Sequence, residues 1–197
     1  MFWRYIFLFL VFNNFLFGQT KQLFPKGGYE TISDFSSVKT REIGLFSIKF
    51  FGVDYRFHIK NDKSRNIKHL FAVSDGENLY VKAKEISKNL VNKEWIILND
   101  ERGVYYKAHF INDSLLYFEN DELTKSYAII GIGVSRLRGI VYQKSISKFR
   151  VLKKNQDIKE FLNQERPKLL QKYNFSENKI VDINLVRKIM DDIFFNR

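Results

Sequence analysis

The sequence predicts an α+β fold: a mainly antiparallel β-sheet of hairpins or a meander, open or barrel-like, followed by short C-terminal helices packed on it. Three observations lead to this prediction. Apolar and polar residues alternate over residues 40–152, turn-forming residues interrupt the alternation at short intervals, and residues 156–195 change to the helical period. Strands first and helices afterwards are typical of the α+β class.

The hairpin predicted at residues 71–83 is the most regular part of the chain. Its sequence is FAVSDGENLYVKA, with apolar residues at odd positions on both sides of Asp75-Gly76. Gly accepts positive φ without steric cost, and the Asp side chain can accept a hydrogen bond from backbone two residues on. We expect a loop of up to four or five residues and leave the turn type open.

The other strands follow from the same alternation and from the turns between them. Near Leu45-Phe46 the apolar positions shift from odd to even, which indicates either a bulge or a strand buried on both faces. Asn112-Asp113-Ser114 separates a second hairpin, and residues 135–139 are the predicted turn of a third. The predicted strands cover residues 43–50, 55–60, 67–74, 95–98, 104–111, 115–118, 127–134, 140–146 and 149–152.

Helices are predicted where apolar residues recur at spacings of three and four. A capped turn is expected over residues 31–37 and another turn over residues 84–92. Three C-terminal helices are expected after Asp157, from Pro167 and after the capping Asp182. The last helix carries one apolar stripe for the sheet, made of Ile183, Val186, Ile189, Met190 and Ile193.

Residues 1–18 have the outline of a secretory signal peptide. Arg4 precedes an apolar run over residues 5–12, which is too short for a spanning helix of roughly 20 residues. We expect export and cleavage after Gly18, with an uncleaved anchor as the alternative because Leu16 stands where a smaller residue is usual. Removing these 18 of 197 residues leaves a single domain, 19–197, of 179 residues, and takes the formal charge from +11 to +10.

The composition restricts the chemistry. With 45% hydrophobic residues the chain can form a core, and with no Cys it cannot use disulfides, thiol catalysis or thiolate metal sites. The +10 charge is spread along the domain without interleaved aromatic residues, which favours general surface basicity. Nucleic acid is therefore an unlikely partner for an exported chain, whereas an envelope component or an anionic surface remains open.

Candidate catalytic and metal-binding residues are few. His58, His69 and His109 fall in predicted strands without metal-binding spacing, and the alternation places His58 on the solvent side. Gly131 and Gly133 begin a dinucleotide-like pattern that Arg136 breaks. The carboxylates of Asp100-Glu101 and of residues 119–122 are expected in solvated loops. No catalytic, cofactor-binding or metal residue is assigned, and no cofactor is expected.

Asp113-Ser114-Leu115 has two interpretations. It matches a short acceptor pattern for O-glycosylation in exported proteins of Bacteroidota, and it also suits a plain hairpin turn, which we prefer.

Four features together resemble an uncharacterised exported β-rich protein family of Bacteroidota. They are Gly18-Gln19 at the end of the signal, Gly28-Tyr29, the hairpin from Phe71 through Gly76 to Val81, and the final helix over residues 183–195. The resemblance implies an exported compartment and a β-rich fold, and it brings no activity, cofactor or site residue.

The function expected from the sequence is a non-enzymatic exported binding or envelope-associated domain that acts through a face of its antiparallel sheet. The alternative is a secreted or periplasmic hydrolase with its site at strand ends, for which His109 and Asp113 are the candidate participants. A weaker alternative is binding to a membrane surface through the apolar run 128–134, with Arg136 and Arg138 at the headgroups.

Overall fold

The fold is taken from a computed structural model that describes residues 24–50, 56–92, 103–122, 136–173, 175 and 180–195. The predicted signal peptide, the predicted strands 95–98 and 127–134, the Gly131 pattern and Asp100-Glu101 lie outside these residues.

The described part contains nine strands and five helices. The strands are β1 (Gly27–Tyr29), β2 (Phe46–Phe50), β3 (Phe57–Asn61), β4 (Ala72–Ser74), β5 (Leu79–Lys82), β6 (Val104–Ile111), β7 (Leu115–Glu122), β8 (Arg136–Gln143) and β9 (Lys148–Leu152). The helices are α1 (Ile32–Ser36), α2 (Ala83–Lys88), α3 (Asn155–Glu165), α4 (Pro167–Leu170) and α5 (Ile183–Phe194).

All nine strands belong to one antiparallel sheet in the order β1-β4-β5-β6-β7-β8-β9, with β2 joined through β3 to β6. The first residues of β6 pair with β3 and β5, and its last residues pair with β7. The sheet therefore branches at β6. It is an α+β fold, as predicted, but the sheet is not closed into a barrel, so the barrel-like variant is wrong.

The predicted hairpin of residues 71–83 is confirmed as β4 and β5, with Ser74 paired to Leu79. In its loop Asp75 Oδ1 accepts hydrogen bonds from the backbone N–H groups of Glu77 (2.9 Å) and Asn78 (2.6 Å). Gly76 adopts φ +102°, which L side chains rarely adopt. The Asp-Gly pair thus performs the two tasks for which it was singled out.

Strands β7 to β9 are buried on both faces. On one face Leu116 and Phe118 belong to the same core as Phe35 of α1 and Phe71. On the other, Leu115 and Tyr117 pack into the core formed with the C-terminal helices. Burying both faces removes far more apolar surface from water than a half-exposed sheet could, which suits a domain without disulfides.

The predicted helices are confirmed with small changes in their ends. Thr31 and Asp34 form a reciprocal capping box at α1, and Asp182 accepts a 2.9 Å hydrogen bond from the N–H of Asn184 at the start of α5. Helix α4 begins at Pro167, as expected. Four of the five residues of the α5 stripe are buried, and Ile183 is partly buried against the same core.

The predicted turn at residues 135–139 is wrong, because β8 begins at Arg136 and continues through it. Gly139 pairs with Glu119 on one side and Leu152 on the other. A Cβ atom there would lie 2.7 Å from Val186 Cγ1, so glycine is needed to let α5 approach the strand.

Two other strand predictions also need correction. Strand β4 begins at Ala72 rather than at residue 67. In the segment before it, the carbonyls of Ile67 (3.2 Å) and Leu70 (3.1 Å) accept hydrogen bonds from the Tyr105 hydroxyl and not from the backbone of a neighbouring strand. Strand β2 begins at Phe46, and Leu45, which precedes it, is 82% exposed, so neither explanation for the shift near Leu45 holds.

Candidate binding cleft

A cleft of about 240 Å³ lies between the β6–β7 turn and the ends of the C-terminal helices. The turn contributes three polar residues, and the helical side contributes both charged and apolar side chains. The lining consists of Asn112, Asp113, Ser114, Arg166, Leu169, Asp192 and Ile193. Interactions between residues close in sequence position the side chains on each side of the cleft.

The turn is shaped by the side chain of Asn112. Its Oδ1 accepts hydrogen bonds from the N–H of Ser114 (3.0 Å), the hydroxyl of Ser114 (3.2 Å) and the N–H of Leu115 (2.8 Å). An Asn side chain that replaces backbone acceptors in this way is an Asx turn. The preferred turn interpretation of Asp113-Ser114-Leu115 is thereby confirmed, and glycosylation at Ser114 stays a prediction.

Arg166 lies at the break between α3 and α4. The residue before a proline is disfavoured in the helical conformation, and Arg166, followed by Pro167, has φ −150° and ψ 64°. Its Nη1 donates a 2.7 Å hydrogen bond to the carbonyl of Glu165. The helix break therefore places a half-buried arginine at the wall of the cleft.

Asp192 is buried in the last turn of α5, where the helix dipole disfavours a negative charge. Lys172 Nζ donates to its Oδ2 at 2.6 Å, and the Tyr173 hydroxyl donates to the same oxygen. Burial, followed by this hydrogen bond and the nearby carboxylates, raises the pKa of Tyr173 well above its usual value. Tyr173 therefore remains a protonated donor, and the charge of Asp192 is compensated within the fold.

A second polar cluster lies between β7 and the first half of α5. Glu119, 3% exposed, accepts from Arg187 Nε (2.8 Å) and Nη2 (2.7 Å) and from the Tyr117 hydroxyl (2.9 Å). Burial would raise the pKa of Glu119, but the hydrogen bonds from Arg187 and Tyr117 outweigh it and lower the pKa. The prediction that this carboxylate lies in a solvated loop is wrong, because Glu119 has its cation on the facing helix.

His109 lies beside this second cluster. It stands where the pairing of β6 with β7 shifts, and its ring centroid is 6.2 Å from that of Tyr117. Although His109 is exposed in part, the atoms packed around its ring lower its pKa, as do Lys107 and Arg187, while Glu119 opposes them. The imidazole is therefore favoured in its neutral form, and the carboxylate that affects it is Glu119.

The other two histidines lie apart from the cleft lining. His58 is 8% exposed in β3, and its Nδ1 is 3.1 Å from Asn66 Nδ2, so the prediction that it faces solvent is wrong. Strand β3 is short and pairs with both β2 and β6, and the alternation of its polar and apolar residues does not determine which side chains are exposed. His69 is exposed outside any strand. Within the described residues, no group of three His, Asp or Glu side chains could hold a metal ion.

Sequence analysis missed the charged residues Arg166, Lys172, Arg187 and Asp192 of these sites and the two tyrosines that donate to the buried carboxylates, Tyr117 and Tyr173. Two sequence features could have indicated Arg166 and Asp192. Arg166 directly precedes Pro167, which ends a helix, and Asp192 places a carboxylate at the wrong end of an amphipathic helix. The partner of Arg187 is 68 residues away, beyond the reach of local patterns.

The described residues form an α+β fold with an open antiparallel sheet, and a polar-apolar cleft lies at the turn between β6 and β7. Comparisons of the chain with models of protein families, with curated proteins and with solved structures found no significant match. The resemblance to an exported Bacteroidota family therefore stays a prediction. Among the described residues, no helix is long and apolar enough to cross a membrane.

Proposed function

We propose that this protein is a non-enzymatic binding domain that is exported to the periplasm, the cell surface or the medium. The observation that supports binding is the cleft at the β6–β7 turn, where a guanidinium, turn hydrogen-bonding groups and apolar side chains converge. Concave sites with a few oriented polar groups are the usual ligand sites of proteins. Export rests on the pattern of residues 1–18.

The cleft, rather than a sheet face, is the proposed binding surface. Both faces of β7 to β9 are covered, one by the N-terminal half of the chain and the other by the C-terminal helices. Asp192 also occupies a position that its helix disfavours. Local preferences that are violated at a concave surface are common at functional sites.

The hydrogen bonds at the cleft favour binding over nucleophilic catalysis. Ser114 is the hydroxyl of the turn, and it donates to the amide oxygen of Asn112. An amide oxygen does not take up a proton at neutral pH, so it cannot activate this hydroxyl as a neighbouring imidazole or carboxylate would. Asp192, the buried carboxylate of the cleft, is held by Lys172 and Tyr173.

The test of binding is a thermal-shift screen of the purified protein against compounds found in periplasm and medium. We expect at least one compound to raise the Tm of the wild type and of R65Q, a control that changes an exposed arginine. We expect R166Q to lose the shift. Compounds that raise the Tm of R166Q as much as that of R65Q, or a screen in which no compound raises the Tm of the wild type, would contradict the proposal.

Export has its own test. Cells that express the full precursor are fractionated, and the N-terminus of the protein is read by mass spectrometry. A chain that begins at Gln19 in the periplasm or medium supports export. A chain that keeps residues 1–18 and stays in the cytoplasm contradicts it.

The hydrolase alternative requires His109 and Asp113 to act together. Asp113 lines the cleft at the turn, whereas the ring of His109 lies near Tyr117 and is influenced by Glu119. A hydrolytic activity that disappears in a folded H109A variant would establish this alternative in place of the binding proposal.

The membrane-surface alternative depends on residues 128–134, which lie outside the described residues, and on Arg136 and Arg138. Arg138 is 6% exposed in β8, so it is not available to lipid headgroups in this fold. Flotation of the protein with liposomes that contain anionic lipid tests this alternative, and we expect the protein to remain in the dense fraction.

A further inference from the structure

We propose that the ligand of the cleft is a carboxylate carried by a short apolar group, either as a free amino acid or as the C-terminus of a peptide. This inference rests on the proposed binding function. It follows from three properties of the lining: the unused donors of Arg166, the apolar wall beside them, and the carboxylate at the turn.

Arg166 supplies the anion-binding group. Its guanidinium has five N–H donors, and its hydrogen bond to a side-chain or backbone acceptor within the described residues is the single one to the Glu165 carbonyl. Two carboxylates of the C-terminal helices are already engaged: Glu165 Oε1 accepts from Gln143 Nε2 at 2.8 Å, and Asp192 binds Lys172. A planar guanidinium with free donors matches the two oxygens of a carboxylate.

Leu169 and Ile193 supply the apolar wall. Ile193 is 4% exposed and Leu169 is half-buried, and both pack with the core of the C-terminal helices while lining the cleft. A ligand that covers this wall gains from apolar burial, which a bare inorganic anion cannot do. The volume of about 240 Å³ suits a single residue-sized group rather than a larger metabolite.

Asp113 stands at the turn on the opposite side of the lining and is exposed. Its carboxylate can accept hydrogen bonds from an ammonium group, which a free amino acid has and a simple fatty acid lacks. Asp113 therefore separates the two sources of the carboxylate: a free amino acid can use both charged residues, whereas a peptide C-terminus uses Arg166 alone.

The experiment compares four probes that share the leucine side chain by calorimetry at low salt: leucine, 4-methylpentanoate, leucinamide and the dipeptide Ala-Leu. We expect the three carboxylates to bind and leucinamide to fail. R166Q should weaken carboxylate binding about tenfold or more, because a charge-assisted pair is lost, while R65Q should bind as the wild type does.

D113N then distinguishes the sources. Binding of leucine that D113N weakens, with unchanged binding of 4-methylpentanoate and Ala-Leu, indicates a free amino acid. Binding of all three carboxylates that D113N leaves unchanged, with Ala-Leu the tightest, indicates a peptide C-terminus. Binding of leucinamide equal to that of leucine, or failure of all carboxylates while other compounds give shifts that depend on Arg166, overturns the ligand class and leaves the binding function standing. Failure of every compound in both experiments overturns both.

Discussion

Helix α5 contributes to one buried carboxylate site in its first half and to another in its last turn, and the two sites are built from the same three kinds of group. At the first, Glu119 of β7 binds Arg187 and the Tyr117 hydroxyl. At the second, Asp192 of α5 binds Lys172 and the Tyr173 hydroxyl. The first site joins the helix to the sheet, and the second joins it to the segment after α4 beside the cleft.

The two sites differ in how firmly the cation is held by the carboxylate and by the surrounding packing. Arg187 binds Glu119 through two nitrogens, and Gly139 lets Val186 pack directly on β8 beside the same tyrosine. Lys172 is a single-point donor whose side chain is 53% exposed. The first site therefore fixes the helix on the sheet. The second compensates the charge of a carboxylate at the edge of a cleft, and its ion pair can be broken at a lower cost in stability.

The largest effect is expected for E119Q. Gln offers one acceptor instead of two and turns an N–H₂ group towards the donors of Arg187 and Tyr117, so we expect a loss of about 3 kcal/mol in the free energy of unfolding. Urea titration of the far-UV signal measures it. The control is E42Q, an exposed glutamate whose replacement should change stability by less than about 0.5 kcal/mol. Equal values for the two variants would show that the Glu119 pair contributes nothing.

G139A should cost about 2 kcal/mol, because the added methyl overlaps Val186 Cγ1 at 2.7 Å and Tyr117 Cε2 at 3.0 Å. Urea unfolding of G139A, V186A and the double variant forms a mutant cycle. We expect the double variant to be more stable than the sum of the two single effects predicts, since V186A makes room for the methyl. Additive losses would mean that Gly139 does not set the distance between helix and strand.

D192N should cost about 1 kcal/mol, less than E119Q, because Asn can still accept from Tyr173 and Lys172 can turn to solvent. Its control is D191N, which changes the exposed neighbour in the same helical turn and should be neutral or slightly stabilising, since it removes a charge that the dipole disfavours. Thermal unfolding of both variants makes the comparison. A loss for D192N that matches or exceeds the loss for E119Q would reverse the proposed ranking of the two sites.

The smallest effect is the change of the E119Q loss with pH. The pKa of Glu119 in the folded protein lies below its ordinary value of 4.5, so its contribution to stability is present above that value and is lost as pH falls through the folded pKa. The stability difference between wild type and E119Q should therefore shrink between about pH 6 and about pH 3. Urea titrations at these pH values measure it, and a constant difference would show that Glu119 does not titrate at a lowered pKa.

The sequence by itself determined the features whose causes lie within a few residues. The Asp75-Gly76 turn, the Thr31 cap and the buried stripe of α5 each depend on neighbours along the chain, and each appears as predicted. The order of strands before helices likewise determined the α+β class, because burial of one face of each helix requires a sheet or another helix.

Only the tertiary structure decided which polar residues are buried and where the cleft lies. Glu119 was predicted to be solvated because it follows the predicted strand 115–118 in a run of polar residues, and its cation, Arg187, is 68 residues away. Gly139 was predicted to be a turn residue because Val186, whose close approach requires a glycine, is far from it in the sequence. A local pattern reports only the preferences of neighbouring residues, whereas burial of a charge depends on a partner that folding alone brings within hydrogen-bonding distance.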